Sequence, residues 1–206
     1  MVLMGLLLVL GFLYLHRQDL GLIGPRTSAT GEDDGAGAAA TSARPARVDW
    51  RTIDRSSEGF KVDMPGEIKE TQIPAYNNSG GAVQVEMIYA NPDSQTTYSV
   101  SWADNPPVAQ GSDHTPDKVL DMARDNALAR TQTLLLSESK SALEGYPSRD
   151  FASHNSGGGV MNVRLIYAAP RLYMLIAAFP SANARQDRAD QHEWNTQPLR
   201  GIGDQA

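Results

Sequence analysis

From Trp50 onward the apolar residues fall on alternate positions in short runs separated by turn chemistry. Gly59-Phe60-Lys61-Val62-Asp63-Met64 alternates before Pro65-Gly66, as a half-buried strand does. Further strands are predicted over Ile68–Tyr76, Val83–Ala90, Thr96–Ala103, Thr133–Leu143, Pro147–His154, Val160–Ala169 and Leu172–Phe179. In the fourth, Tyr98, Val100 and Trp102 share one face and Thr97, Ser99 and Ser101 the other. That predicts a sheet with one covered and one partly wet face.

The period changes to 3–4 after Thr115. Thr115 as cap, Pro116 at the first turn and Asp117 against the dipole predict a helix reaching Arg130. Val119, Leu120, Ala123, Ala127 and Leu128 form its inner stripe, and Lys118, Asp121, Arg124, Asp125 and Arg130 face out. A second helix is predicted over Ala184–Gln197, with Ala189, Trp194 and His192 inward. The expected architecture is an α+β domain over residues 48–200, an antiparallel sheet with two packed helices.

An internal similarity adds to this. Gly80–Pro92 and Gly158–Pro170 are identical at seven of thirteen aligned positions without gaps. Val83, Val85, Met87 and Tyr89 align with Met161, Val163, Leu165 and Tyr167. A one-residue slip would swap faces, so matching parity is structural information. Both an internal strands-then-helix duplication and two hairpins converging on one turn chemistry fit these residues.

Residues 1–23 open with the apolar run Val2–Leu15, ended by His16, Arg17, Gln18 and Asp19. Fourteen residues rise about 21 Å as a helix, against ~30 Å of hydrocarbon core. A signal-peptide core, a short signal anchor and a buried helix are the three readings. Membrane association through this segment, retained as an anchor, is the expectation. Residues 24–47 are rich in Gly, Ala, Ser, Thr and Pro, and read as a disordered linker that cannot bury enough surface to offset its ordering entropy. Arg17 and Arg26 follow the run, which by the positive-inside rule favours a cytoplasmic domain. The resemblance described below points to export instead, so the expected location is a single-pass inner-membrane protein with a periplasmic domain.

Composition narrows the chemistry. The chain has no cysteine, which excludes disulfides, thiolate metal sites and a cysteine nucleophile. The net charge is −6. Four arginines and four acids cancel within residues 1–47, so the whole excess sits on the domain. An acidic domain without a Lys/Arg run repels phosphate backbones, and no nucleic-acid partner is expected.

Candidate catalytic patterns are thin. Ser137-Glu138-Ser139-Lys140 has Ser-x-x-Lys spacing without partner motifs. His114 between Asp113 and Asp117 is a crude metal-ligand cluster, and His192-Glu193 lacks the second histidine of a zinc helix. Gly157-Gly158-Gly159 suits a hairpin turn better than an anion cradle. No catalytic residue, metal or cofactor is therefore assigned. Tyr89, Tyr98, Trp102, Tyr167 and Tyr173 are the candidate binding patch, against a core-packing alternative. Glu86 and Arg164 occupy equivalent repeat positions and are expected to lie opposite the core, where they can pair.

Gly59-Phe60-x-Val62-x-Met64-Pro65-Gly66, Tyr98-x-Val100-x-Trp102, Leu143-x-Gly145-Tyr146-Pro147-x-Arg149-x-Phe151, Arg164-x-Ile166-Tyr167 and Arg171-Leu172-Tyr173 occur in an order that resembles the PsbP-like fold. Within it, the pattern is similar to DcrB-like and uncharacterised bacterial envelope domains, over about residues 50–198. The resemblance implies a noncatalytic binding or assembly module with an unidentified protein partner. A carrier or sensor for a small apolar ligand is the alternative, and a hydrolase the third reading.

Overall fold

The computed structural model describes residues 49–76, 82–106 and 115–181. The expected N-terminal anchor, the linker, His114 and the helix over 184–197 lie outside them. Nine strands and one α-helix are described, with a single 3-10 turn at Ser56–Glu58. They are β1 (Trp50–Arg55), β2 (Phe60–Pro65), β3 (Lys69–Tyr76), β4 (Ala82–Ala90), β5 (Thr97–Asp104), α1 (Pro116–Thr131), β6 (Leu134–Leu143), β7 (Tyr146–His154), β8 (Val160–Ala168) and β9 (Arg171–Phe179).

Seven strands form one antiparallel sheet in the order β3-β4-β5-β9-β8-β7-β6. β1 and β2 form a separate antiparallel pair. α1 packs on β7 and β8, and we call that side of the sheet the helix face. Directly paired residues share a face, so Tyr89, Ser99, Ile176 and Val163 all lie there. On the other side Phe60, Val62 and Met64 of β2 pack with Ile88, Tyr98, Val100, Trp102, Ile166, Tyr173 and Leu175. Among the described residues the expected sheet with two packed helices shows one helix, and the structure adds a layer the sequence did not predict: helix, large sheet and a two-stranded β layer. The alternating apolar residues of β2 supply that third layer.

Two consequences follow for the expected wet face. Ser99 and Ser101 on the helix face are buried, and the serine stripe is interior. Trp102 and its neighbours are buried on the other face as well. The central strand β5 is thus covered on both sides, because each face has its own packing layer.

The internal similarity has a structural counterpart. β5 and β9 are antiparallel neighbours, with β4 beside one and β8 beside the other. A twofold axis between β5 and β9 exchanges β4 with β8 and keeps their apolar residues on one face. β1 was missed in the sequence because Trp50 and Ile53 are its two large apolar residues, and their spacing of three hides a period of two.

Helix α1 begins at Pro116 with Thr115 extended at the cap, but the Thr115 hydroxyl makes no capping bond. Asp121 and Arg124, expected to face out, point instead to the sheet. The Arg149 side chain is fully buried and pairs with Asp121, with Asp117 at 3.4 Å and with Glu138 at 3.1 Å. Arg124 donates to both Glu138 carboxylate oxygens at 2.7 and 2.8 Å. These ion pairs fasten α1 across β6 and β7.

Candidate functional site

The five candidate aromatics are not one patch. The register puts Tyr98, Trp102 and Tyr173 on the β-layer face, and Tyr89 and Tyr167 on the helix face. All five are buried. Phe60 meets Trp102 and Tyr173 edge to face, with ring centroids 5.1 and 5.8 Å apart, and Tyr98 meets Trp50 and Phe179 likewise. Such pairs contribute about 0.5–1.5 kcal/mol each beyond area burial. These rings are a packing core. The alternation that marked them as a set is real, but their parity differs from strand to strand.

The candidate catalytic residues are not brought together either. Ser137 pairs with Ala152 and Lys140 with Arg149, which places their side chains on opposite faces of β6. Lys140 donates instead to Asp117 on α1 at 3.1 Å. His154 lies against the carbonyl of Asn155. Among the described residues no group of three His, Cys, Asp or Glu is placed to hold a metal ion. The glycine run is a turn. Asn155 Oδ1 accepts from Gly157 and Gly159 at 2.9 Å each, and Gly158 takes φ +83°, a conformation glycine adopts without steric cost. Glu86 and Arg164 do not pair, because β5 and β9 stand between their strands. Arg164 donates to Asp150 on the adjoining strand at 2.5 Å.

Two surface features remain. The first is an open cleft of about 960 Å³ lined by the end of β1, the turn after it and strands β3–β5. Arg55, Glu58, Glu70, Glu86, Asp104 and Arg171 are among its lining residues. Arg171 donates to Asp104 at 2.6 and 2.9 Å and to the Glu58 carbonyl at 2.9 Å. The Arg171 guanidinium holds the Asp104 carboxyl below the usual range. Burial first, and the neighbouring acids to a lesser degree, raise the Tyr173 hydroxyl. That hydroxyl donates to the Glu58 carbonyl at 2.8 Å. A Cβ at Gly59 would sit 3.0 Å from it, so glycine there permits the close approach. Arg55 pairs with Glu70, and Arg171 with Asp104 and Glu58, so the cleft reads as a structural latch between β layer and sheet.

The second feature is the outer strand β6, which sequence reasoning passed over. Every residue but Leu143 is exposed. Leu134, Leu135 and Leu136 are 68, 43 and 56% exposed. They stand at one end of the strand, beside a bulge in which Leu136 is the extra residue between Leu135 and Ser137. β6 pairs with β7 on one side and with nothing among the described residues on the other. Its open edge offers a row of backbone donors and acceptors, the template that another strand can extend. The signal for it was present in the sequence as three consecutive leucines in a strand, more apolar surface than one covered face requires.

No protein-family model matches the chain, and no curated protein matches it. Among solved structures, a cyanobacterial PsbP protein from Synechocystis is similar at 11% identity and a TM-score of 0.49, covering 81% of this chain and 94% of its own. A protein of unknown function from Pseudomonas aeruginosa is similar at 12% identity and a TM-score of 0.35, covering 71% of this chain and 91% of its own.

Proposed function

We propose that the chain is a membrane-tethered, noncatalytic PsbP-like module of the bacterial envelope that docks a protein through the open edge of β6. The observation that carries this reading is a strand edge with no partner among the described residues, beside three exposed leucines. Soluble proteins blunt such edges with charge, proline or a covering element. Here the bulge at Leu136 and the charges of Glu138 and Lys140 are such devices, and the leucines at the other end of the strand work against them. The open clefts suit the alternative of an apolar-ligand carrier poorly. Glu, Arg, Asp and Gln line the larger, and Ser137, Ser139, Asp150, Asn162 and Arg164 are prominent in the smaller. The tether is read from the apolar run Val2–Leu15 and the linker behind it.

Cross-linking in membranes tests the reading. The wild-type chain is expected to give a discrete cross-linked species, and a Leu135→Lys/Leu136→Lys variant to lose it while the domain stays folded. An identical species from both chains would rule out β6 as the docking edge.

A further inference from the structure

Building on the reading of β6 as a docking edge, we infer that its occupant is a second copy of this chain, its β6 running antiparallel about a twofold axis at Ser139. The argument rests on the residue order of the strand. Its sequence, Leu134-Leu135-Leu136-Ser137-Glu138-Ser139-Lys140-Ser141-Ala142-Leu143, carries one acid and one base placed symmetrically about Ser139. In an antiparallel pair centred there, Glu138 of each copy falls opposite Lys140 of the other, and Ser137 opposite Ser141. Opposite charges directly across a ladder are favourable and like charges are not. Any one-residue shift of the register abolishes both charge pairs together.

The faces agree as well. Glu138 and Lys140 pair with Phe151 and Arg149, which lie on the helix face. A twofold axis perpendicular to the sheet keeps that face common to both copies, so the charge pairs form on one side. Beyond the bulge, Leu135 meets Ala142 and Leu134 meets Leu143 of the second copy, and each interface covers two sets of leucines. An isologous contact of this kind closes on itself and leaves no further edge of the same type. The domain carries an excess of negative charge, which opposes self-association in general. Within each copy Glu138 is held by Arg124 and Arg149, and Lys140 by Asp117, so at this register the pairing extends existing ion pairs across the seam.

The opposite edge of the sheet does not offer this. β3 begins with Lys69-Glu70 and contains Pro74, which has no backbone donor to give a partner strand. Glu70 is tied to Arg55 of the β layer. Of the two edges of the seven-stranded sheet among the described residues, β6 is the one suited to self-pairing, and a twofold pairing there gives a dimer.

Single-cysteine cross-linking of the full chain in mild detergent tests the inference, since the sequence has no other cysteine. Ser139→Cys places two thiols opposite each other at the axis and is expected to give a covalent dimer on mild oxidation. Lys69→Cys on β3 is expected to give at least tenfold less. Adding Lys140→Glu to Ser139→Cys sets carboxylates against carboxylates and is expected to reduce the dimer several-fold. Adding Leu135→Lys/Leu136→Lys is expected to reduce it at least as far. Equal dimer from Lys69→Cys, or no dimer from Ser139→Cys, overturns self-pairing. If the second result comes with a leucine-dependent cross-link to a different protein in membranes, the docking edge stands and only its occupant is wrong. If the leucine variant changes neither cross-link, both readings fall.

Discussion

The two edges of the seven-stranded sheet have met the same problem in opposite ways. β3 ends the sheet beside the β1–β2 layer, with charged residues, a proline and an ion pair to Arg55 along it. β6 ends it with a serine-rich strand whose two charges, Glu138 and Lys140, are paired to its own domain, and with three exposed leucines. Each strand that precedes a β4-like or β8-like hairpin had a choice of layer. β2 alternates Phe60, Val62 and Met64, and that apolar face is buried over the sheet. β6 has no comparable alternation after its leucines, so it gains nothing by leaving the sheet and extends it instead. The comparison teaches that the apolar face of the leading strand decides whether it becomes a covering layer or an exposed edge.

The largest expected effect comes from breaking the covered end. Phe60→Ala removes a fully buried ring packed edge to face on Trp102 and Tyr173. We expect a loss of about 3–5 kcal/mol in chemical denaturation, as for other buried phenylalanine truncations. The β layer would detach, and the β3–β5 end would come to resemble the open end.

The next effect lies at the base of the open edge. Arg149→Ala leaves Asp117, Asp121 and Glu138 without their shared cation. Those carboxylates keep partial access to water, so the expected cost is about 2–3 kcal/mol, below that of stranding a fully buried charge. Arg149→Met keeps the packing volume and is expected to cost less. Urea titration of both variants separates the charge from the volume.

A smaller effect concerns the latch in the polar cleft. Arg171→Gln is expected to cost on the order of 1 kcal/mol, because its hydrogen bonds to Asp104 and Glu58 reach partly exposed groups. Asp104 titrates below its ordinary value in the folded chain, first because Arg171 donates to it. Its contribution to stability is therefore present above the unfolded carboxyl value, about 3.9, and is lost as the pH falls through the folded value. In Arg171→Gln, NMR titration should find Asp104 moved up toward the ordinary value, with a shallower loss of stability over the same acid range.

The smallest effect on stability should come from the most exposed residues. Leu136→Lys is expected to change it by less than about 0.5 kcal/mol, while removing association at β6. A large destabilisation on thermal melting would mean that Leu136 packs within its own domain, and would erase the contrast between the edges.

Much of the fold was legible from period alone. The strands after β1 and helix α1 were anticipated to within a residue or two, because their alternation and turn residues are strong. What could not be read was where each face points. Tyr98 and Tyr89 both belong to clear alternations, yet registry between strands puts them on opposite sides of the sheet. Asp121 and Arg124 looked solvent-facing by helical spacing, but a buried arginine and Glu138 from distant strands drew them inward. Charge pairs of that kind carry no local signal. The docking edge was half legible: three consecutive leucines marked surplus apolar surface, but only the strand order shows that nothing among the described residues lies beside them.

The most direct test of the contrast between the edges is backbone hydrogen exchange of the full chain as a function of its concentration. Amides that face outward from β6 exchange freely in a lone domain and become protected when a strand pairs there. The account predicts that protection over residues 134–143 rises with protein concentration, while residues 69–76 of β3 are unchanged. Exchange in β6 that stays fast at every concentration, or protection that rises equally in β3, would contradict it.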